Sequence, residues 1–254
     1  MTAEACAELV ERRDPDRWRT AMLAPADKRP GLMALYAFNL EIARAPWVAS
    51  ESMLAEIRLR WWTDAVAEIY ADALLRRHEV VAPLADMIRA TAPPQTLFDE
   101  AIAARLMDAE VRPHADRTSL KRYLDHTSGN LMWLAALHLG APETAEPMIR
   151  DYAKATGIAA LLRALPELRA WGREPLPPDT DIAALATDGL AALDRARAAP
   201  APKVAAPAFL AGWMAPLRLQ RANARPDAVW SGGLETSEAR ARASLIFAAM
   251  RGRI

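Results

Sequence analysis

The chain has 254 residues, and its 32 Lys and Arg residues balance 32 Asp and Glu residues to give no net charge. Without an excess or a clustered run of basic residues, we expect no nucleic-acid partner, because such proteins neutralise phosphates with Lys and Arg. The single cysteine, Cys6, excludes a disulfide framework and a cysteine-based zinc site. No apolar stretch reaches the ~20 residues of a membrane span and no secretory signal is visible. We therefore expect a cytoplasmic protein.

Alanine, leucine and arginine dominate the composition, and these helix-forming residues predict an all-α protein. In the first half, the pattern predicts a brief helix starting at Asp14-Pro15 and a longer one from Pro25 to about Arg44, closed by Ala45-Pro46. Ser50 is a candidate N-cap for the next helix. The remaining predicted helices span roughly 51–71, 79–91, 95–111, 119–139, 143–165, 180–198, 203–222 and 237–251. We expect one domain over 1–254, with nine or ten helices.

Apolar periodicity predicts which helix faces are buried. In the 51–71 helix the residues expected to face inward are Leu54, Ile57, Trp61, Val66 and Ile69. The second half of the 143–165 helix, GIAALLRAL, is apolar on almost every side, which predicts a central position. We expect Pro166 to end that helix.

Motifs for common enzyme chemistries are absent from the sequence. The four histidines lack the spacing of a helical metal site, and there is no P-loop, GxGxxG fingerprint or GxSxG elbow. Asp64 and Glu68 have the spacing of a shared helical face, but such a pair is more typical of a solvated surface. Asp179 and Asp181 are more simply explained as helix caps. A Ser/His/Asp triad stays open, although no motif indicates one.

Four blocks of sequence carry a family resemblance. They are ALYAFNLEIAR at 34–44, SESMLAEIRLRWWTDA at 50–65, GIAALLRA at 157–164 and GREPLP at 172–177. In order and spacing over roughly 15–180, they resemble the squalene/phytoene synthase family. They are most similar to its phytoene synthase-like branch, which is related to a mitochondrial respiratory complex I assembly factor. The resemblance implies a single-domain isoprenoid-synthase-like helical bundle with a central cavity.

The chain departs from the family pattern at the positions that carry catalysis. Leu40 stands where catalytic members have an arginine, and Gly157 and Ala160 stand where they have amides. The family's acidic positions are here Ala43, Arg44, Trp47, Ala164 and Leu168. In catalytic members, the carboxylates at these positions hold the Mg²⁺ ions that neutralise a departing diphosphate. The departures therefore imply no catalytic residue, no metal site and no cofactor.

Five residues remain as candidate ligand-binding positions: Tyr36, Asn39, Arg58, Arg163 and Arg173. Tyr36 and Asn39 lie on the stripe that would line the cavity, although core packing explains Tyr36 equally well. Arg58 is also consistent with a solvated face. Arg163 lies within an apolar segment, where an arginine needs a partner such as Glu41, a path to solvent or an external anion. Arg163 and Arg173 together would form a two-arginine clamp for an anionic, lipid-like ligand.

We interpret the chain as a non-catalytic family member that acts in respiratory complex I assembly or binds a lipid-like or isoprenoid-like ligand. We expect a protein partner or such a ligand, with peripheral contact at the inner membrane as one option. The alternative is a Mg²⁺-dependent prenyl transferase that condenses two prenyl diphosphates head to head.

Overall fold

The computed structural model describes residues 3–48, 52–110 and 112–251. These ranges contain thirteen α-helices and no β-strand, which confirms the all-α prediction. The helices of the first half are α1 (Ala3–Arg13), α2 (Pro15–Ala21), α3 (Arg29–Val48), α4 (Ser52–Tyr70), α5 (Val81–Thr91) and α6 (Thr96–Ala109). Then follow α7 (Arg117–Leu124), a π-helical turn (Asp125–Gly129), α8 (Asn130–Leu139) and α9 (Glu146–Ala170). The last are α10 (Ile182–Ala198), α11 (Ala206–Leu210), α12 (Ala215–Ala224) and α13 (Glu238–Arg251).

The chain forms two compact units. The first comprises Met1–Glu110 with Trp133–Ala141, and the second comprises Val111–Met132 with Pro142–Ile254. Each unit therefore contains two separate stretches of sequence. The assignment of 1–254 to one domain stays a prediction.

Several helix starts follow the capping residues. Asp14 caps α2, where its Oδ1 accepts a hydrogen bond of 3.1 Å from the Arg17 N–H. Asp116 caps α7 through a reciprocal pair of hydrogen bonds with Ser119, so this helix begins two residues before its predicted start. Gly140, with φ of 94°, follows α8 as expected. Ser50, the predicted cap of α4, lies outside the described residues.

The helix start predicted at Pro25 and the helix ends predicted at Pro46 and Pro166 are wrong. The predicted helix at Pro25 begins instead at Arg29, because residues 25–28 form a turn in which the Lys28 N–H donates to the Pro25 carbonyl at 2.9 Å. Helix α3 continues through Pro46 to Val48, and α9 continues through Pro166 to Ala170. A proline inside a helix cannot donate to the carbonyl four residues earlier, and its ring clashes with that carbonyl, which costs about 3 kcal/mol. In α9 the fully buried Leu162 and Leu165 precede Pro166 and favour an intact helix.

The inward face of α4 differs from the prediction at its start. Leu54 and Ile57 are exposed, and Trp61 is half-buried, whereas Val66 and Ile69 are buried as expected. The buried face instead begins with Ala55, Leu59 and Trp62. Trp62 packs edge-on against Phe38 of α3 at 5.3 Å between ring centroids. The bulk of Trp62 therefore sets a rotation of α4 that the spacing of the apolar residues did not indicate.

The GIAALLRAL segment of α9 is not buried on every side. Ile158, Ala159, Leu162 and Leu165 are buried, but Ala160 and Arg163 are exposed to solvent. The prediction of a fully enclosed segment is therefore wrong. Alanine allows this because its methyl group adds little apolar surface to whichever face it occupies.

His138 joins three elements of the first unit. Its Nε2 donates a hydrogen bond of 3.0 Å to the Lys28 carbonyl, and its Nδ1 accepts one of 3.0 Å from the Thr91 hydroxyl. The imidazole lies against Gly31, where a Cβ atom would overlap the ring. Burial is the main cause of a lowered pKa of His138. The folded unit therefore holds this ring in its neutral form.

We expect acid to destabilise the first unit through His138. The folded pKa lies below the unfolded value near 6.5, so the stabilisation is complete above that pH and is lost as the pH falls below it. One such group changes the free energy of unfolding by at most about 1.4 kcal/mol per pH unit. Thermal melts between pH 7.5 and 5 should show a steeper loss for the unmodified protein than for His138→Gln. His126→Gln serves as the control, and equal pH dependence of all three proteins would contradict the assignment.

Candidate functional site

Helix α9 and the π-helical turn pack together in the second unit. Arg150 of α9 donates hydrogen bonds to Asp125 at 2.9 Å and to Asn130 at 3.2 Å. These two residues flank the turn, since Asp125 is its first residue and Asn130 follows its last. A third hydrogen bond of 2.7 Å joins Arg150 to Glu146 of its own helix. Arg150 therefore holds the irregular turn at both ends against α9.

The contact between the turn and α9 is closest at Gly157. A Cβ atom at this position would lie 2.8 Å from the Ser128 Oγ and 2.9 Å from the Ser128 Cβ. Rotating the serine hydroxyl relieves only the first of these contacts, because the Ser128 Cβ is fixed by the backbone. Gly157 is the position where the sequence resemblance implies an amide in catalytic members. There is no room for any side chain here.

The other α9 positions singled out by the sequence carry no carboxylate. Ala160 is exposed, and Ala164 and Leu168 are half-buried. Arg163 is exposed, with its Nη1 3.3 Å from the Glu235 Oε1. Its ion-pair partner in the described chain is therefore Glu235 rather than Glu41. This arrangement matches the expectation of an arginine that reaches solvent and pairs with a glutamate.

Arg173 lies in the loop that follows α9. The loop folds back because the Arg173 N–H donates to the Leu168 carbonyl at 2.9 Å, with Gly172 at φ of 70°. A backbone hydrogen bond of 3.2 Å from His114 to Pro175 holds the other side of the loop. The Arg173 side chain is half-buried. A ligand-binding role for Arg163 and Arg173 stays a prediction.

The remaining candidates lie in the first unit. Tyr36 and Asn39 are one turn apart on α3, both buried, whereas Arg58 on α4 is exposed. The Arg17 guanidinium lies 5.8 Å from the centre of the Tyr36 ring. Burial raises the pKa of Tyr36 to about 12, so the hydroxyl stays protonated at neutral pH. The structure thus brings Tyr36 and Asn39 together on one buried face, and their ligand-binding role stays a prediction.

The family's acidic positions on α3 are likewise occupied by other residues. Ala43, Arg44 and Trp47 are half-buried along the second half of this helix. Within the described residues, no group of three or more His, Cys, Asp or Glu side chains converges as a metal site would require. The expectation of no metal and no cofactor stays a prediction.

Two clefts open in the second unit, and sequence motifs indicated neither. The first, the α7–α10 cleft, has a volume of about 540 Å³. Its charged lining residues carry both signs, namely Arg117, Lys121, Lys154, Asp116, Asp179, Asp181 and Asp188. Burial is the main cause of a lowered pKa of Lys154. Because cations and carboxylates are mixed in its lining, this cleft favours no single charge class of ligand.

The second, the C-terminal cleft, has a volume of about 700 Å³. Its lining residues are Tyr152, Arg197, Ala201, Pro202, Lys203, Ala206, Phe209, Leu210, Trp213, Pro216, Ser244, Phe247, Ala248 and Ala249. They come from α9, α10, α11, α12, α13 and the segments between them. No local sequence pattern could identify this cleft, because its residues are distributed over about 100 positions of the chain.

The fold belongs to the isoprenoid synthase class. The structure is similar to squalene synthase HpnC from Alicyclobacillus acidocaldarius, with a TM-score of 0.75, 16% identity, and coverage of 88% of this chain and 93% of that one. It is also similar to a dehydrosqualene synthase solved in complex with a ligand, with a TM-score of 0.69, 12% identity, and coverage of 98% and 95%. At such low identity these similarities establish the fold alone.

A family profile described as squalene/phytoene synthase matches residues 10–213, and the chain therefore belongs to this family. Among curated relatives, "NADH dehydrogenase (ubiquinone) complex I, assembly factor 6" from Bos taurus is 29% identical over 180 residues. The human protein of the same name is 28% identical over 180 residues, and a Drosophila melanogaster homolog is 29% identical over 182. These alignments cover about 70% of this chain. The chain spans about half the length of these relatives, 53–54%.

We predict that Gly157→Asn, which restores an amide at this position, destabilises the protein. Overpacking typically costs about 1–3 kcal/mol. Replacing a helical glycine with asparagine recovers only roughly 0.3 kcal/mol of helix propensity. The steric cost therefore dominates, and chemical denaturation should show a lower free energy of unfolding.

Ala160→Asn is the matched control, since Ala160 is the other implied amide position and is exposed. We expect it to cost about 0.7 kcal/mol or less, the propensity difference alone. Equal stabilities of the two variants would show that Gly157 tolerates a side chain.

Proposed function

We propose that this protein is a non-catalytic member of the squalene/phytoene synthase family that assists the assembly of respiratory complex I. The observation that carries the proposal is the closed Gly157 position on α9, where a Cβ atom would meet Ser128. The names of the curated relatives supply the particular role. The role includes contact with a protein partner and a peripheral position at the inner membrane.

The proposed loss of catalysis rests on the residues of α9. Ionisation of an allylic diphosphate needs divalent cations to neutralise the departing group. At the implied metal-binding positions α9 carries Ala164 and Leu168, neither of which offers an oxygen ligand from its side chain. The retained Arg163 forms an ion pair with Glu235. One arginine can hold a phosphate, but it does not replace several divalent ions.

None of the helices in the described ranges has the length and apolar character needed to cross a membrane. A lipid-like or isoprenoid-like ligand held by Arg163 and Arg173 is compatible with the proposed role. In that case the ligand would compete with Glu235 for the Arg163 guanidinium.

The activity test uses the protein with farnesyl or geranylgeranyl diphosphate, Mg²⁺ and NADPH, because squalene formation consumes a hydride whereas phytoene formation does not. We expect no squalene or phytoene above a heat-inactivated control, with the Alicyclobacillus squalene synthase as the positive control. Formation of either product would support the alternative, a prenyl transferase, and would contradict the non-catalytic role.

The assembly test removes the gene in the protein's own source organism and measures assembled complex I. We expect complex I to fall and the unmodified gene to restore it. Arg163→Leu should then fail to restore it while keeping a normal thermal melt, because an exposed ion pair contributes at most about 1 kcal/mol.

Arg195→Leu is the matched control, since Arg195 is also an exposed arginine of the second unit and pairs with one carboxylate, Asp151. Restoration by both variants would show that Arg163 is a surface ion-pair residue only. Unchanged complex I after gene removal would contradict the proposed role itself.

A further inference from the structure

The C-terminal cleft has apolar walls built from aromatic and small residues. Phe209, Leu210, Trp213 and Phe247 line it together with several alanines and prolines. Trp213 donates its indole N–H to the Ser244 Oγ at 3.0 Å, which joins the segment before α12 to α13. The volume of about 700 Å³ lies within the roughly 300–1,000 Å³ of small-molecule sites. The cleft is therefore large enough for an apolar chain.

The charged residues of the cleft are of one sign. Within the described chain, its lining includes Arg197 and Lys203 but neither Asp nor Glu. Arg197 lies in the last turn of α10 and Lys203 begins the next helical turn, so only five residues, 198–202, separate them. Two cations beside apolar walls favour a ligand that carries a negative charge next to an apolar body.

Tyr152 adds a polar group to the same cleft. Its side chain is only 2% exposed, and its ring packs edge-on against Phe209 at 5.7 Å between centroids. Burial raises the pKa of Tyr152, so its hydroxyl stays protonated at neutral pH. A protonated hydroxyl in the same cleft lining as Arg197 and Lys203 is a further hydrogen-bond donor for a bound anion.

We propose that the C-terminal cleft binds a single-chain amphiphile with an anionic headgroup, a carboxylate or a phosphate. Phe209, Trp213 and Phe247 contact the apolar chain. Arg197 and Lys203 bind the headgroup, and Tyr152 donates a hydrogen bond to it. An uncharged lipid gives Arg197 and Lys203 no favourable charge interaction, so it binds more weakly than an anionic one. This site uses none of Tyr36, Asn39, Arg58, Arg163 and Arg173, and it does not depend on the proposed role in assembly.

The test measures binding of cis-parinarate, a fluorescent fatty acid whose emission rises in an apolar site. We expect saturable binding of cis-parinarate by the unmodified protein. The methyl ester of cis-parinarate should bind with an affinity at least tenfold lower. Competition with oleate and with oleoyl lysophosphatidate then separates the carboxylate from the phosphate as the preferred headgroup. Equal affinity for acid and ester would overturn the anionic requirement, and the absence of saturable binding would overturn the site.

Variants locate the binding. Arg197→Gln combined with Lys203→Gln should weaken parinarate at least tenfold, and Tyr152→Phe should weaken it less because the ring remains. Arg195→Gln is the matched control, since Arg195 lies two residues earlier on α10 and does not line the cleft. Equal losses in the control and the double variant would overturn the assignment of the headgroup to Arg197 and Lys203.

A second pair of variants tests the apolar part without changing charge. Ala248→Trp places a large ring in the cleft and should abolish binding, whereas Ala243→Trp alters an exposed position of α13 outside the cleft lining. Thermal melts show whether each variant is folded. If the charge variants fail to fold, the acid and ester comparison on the unmodified protein still decides the proposal. Binding by Ala248→Trp as strong as by Ala243→Trp would place the ligand elsewhere.

Discussion

The close approach of α9 to the π-helical turn is the constraint on which much of the second unit depends. A glycine at 157 lets the Ser128 side chain lie directly against the α9 backbone, and Arg150 secures the turn at Asp125 and Asn130. A π-helical turn is less favourable than regular helix and is found where neighbouring structure supports it. Here the support comes from one arginine and one missing side chain. The same two features leave α9 no substrate-binding group at this position.

Residues along α9 contact several different parts of the second unit. Tyr152 reaches the C-terminal cleft, Gly157 meets the π-helical turn, and Arg163 pairs with Glu235 near the chain's end. Under the proposed function, this separation lets the family fold lose one chemistry and keep its other surfaces. The positions where the family resemblance implies diphosphate chemistry carry other residues here, whereas Ile158, Leu162 and Leu165 of the same helix are apolar and buried.

The fold class was predictable because helix propensity and apolar periodicity act locally and accumulate over many residues. The ends of α3 and α9 were not, because the tertiary packing of neighbouring side chains outweighs the roughly 3 kcal/mol that a proline costs inside a helix. The rotation of α4 depended on Trp62 meeting Phe38, a tertiary contact that spacing does not encode. Arg163 was recognised as needing a partner, but Glu235 lies 72 residues away and no local pattern connects them. The C-terminal cleft was missed for the same reason.

The first unit is discontinuous in sequence, since Trp133–Ala141 completes what Met1–Glu110 begins. The stretch Trp133–Ala141 contains His138. Its imidazole packs beside Gly31 and forms hydrogen bonds with the Lys28 carbonyl and the Thr91 hydroxyl. During synthesis, residues 1–110 leave the ribosome before this second stretch does. The ring that packs beside Gly31 and bonds the Lys28 carbonyl and the Thr91 hydroxyl is therefore the last of these groups to become available. The first unit can complete its packing at Gly31 only after His138 has left the ribosome.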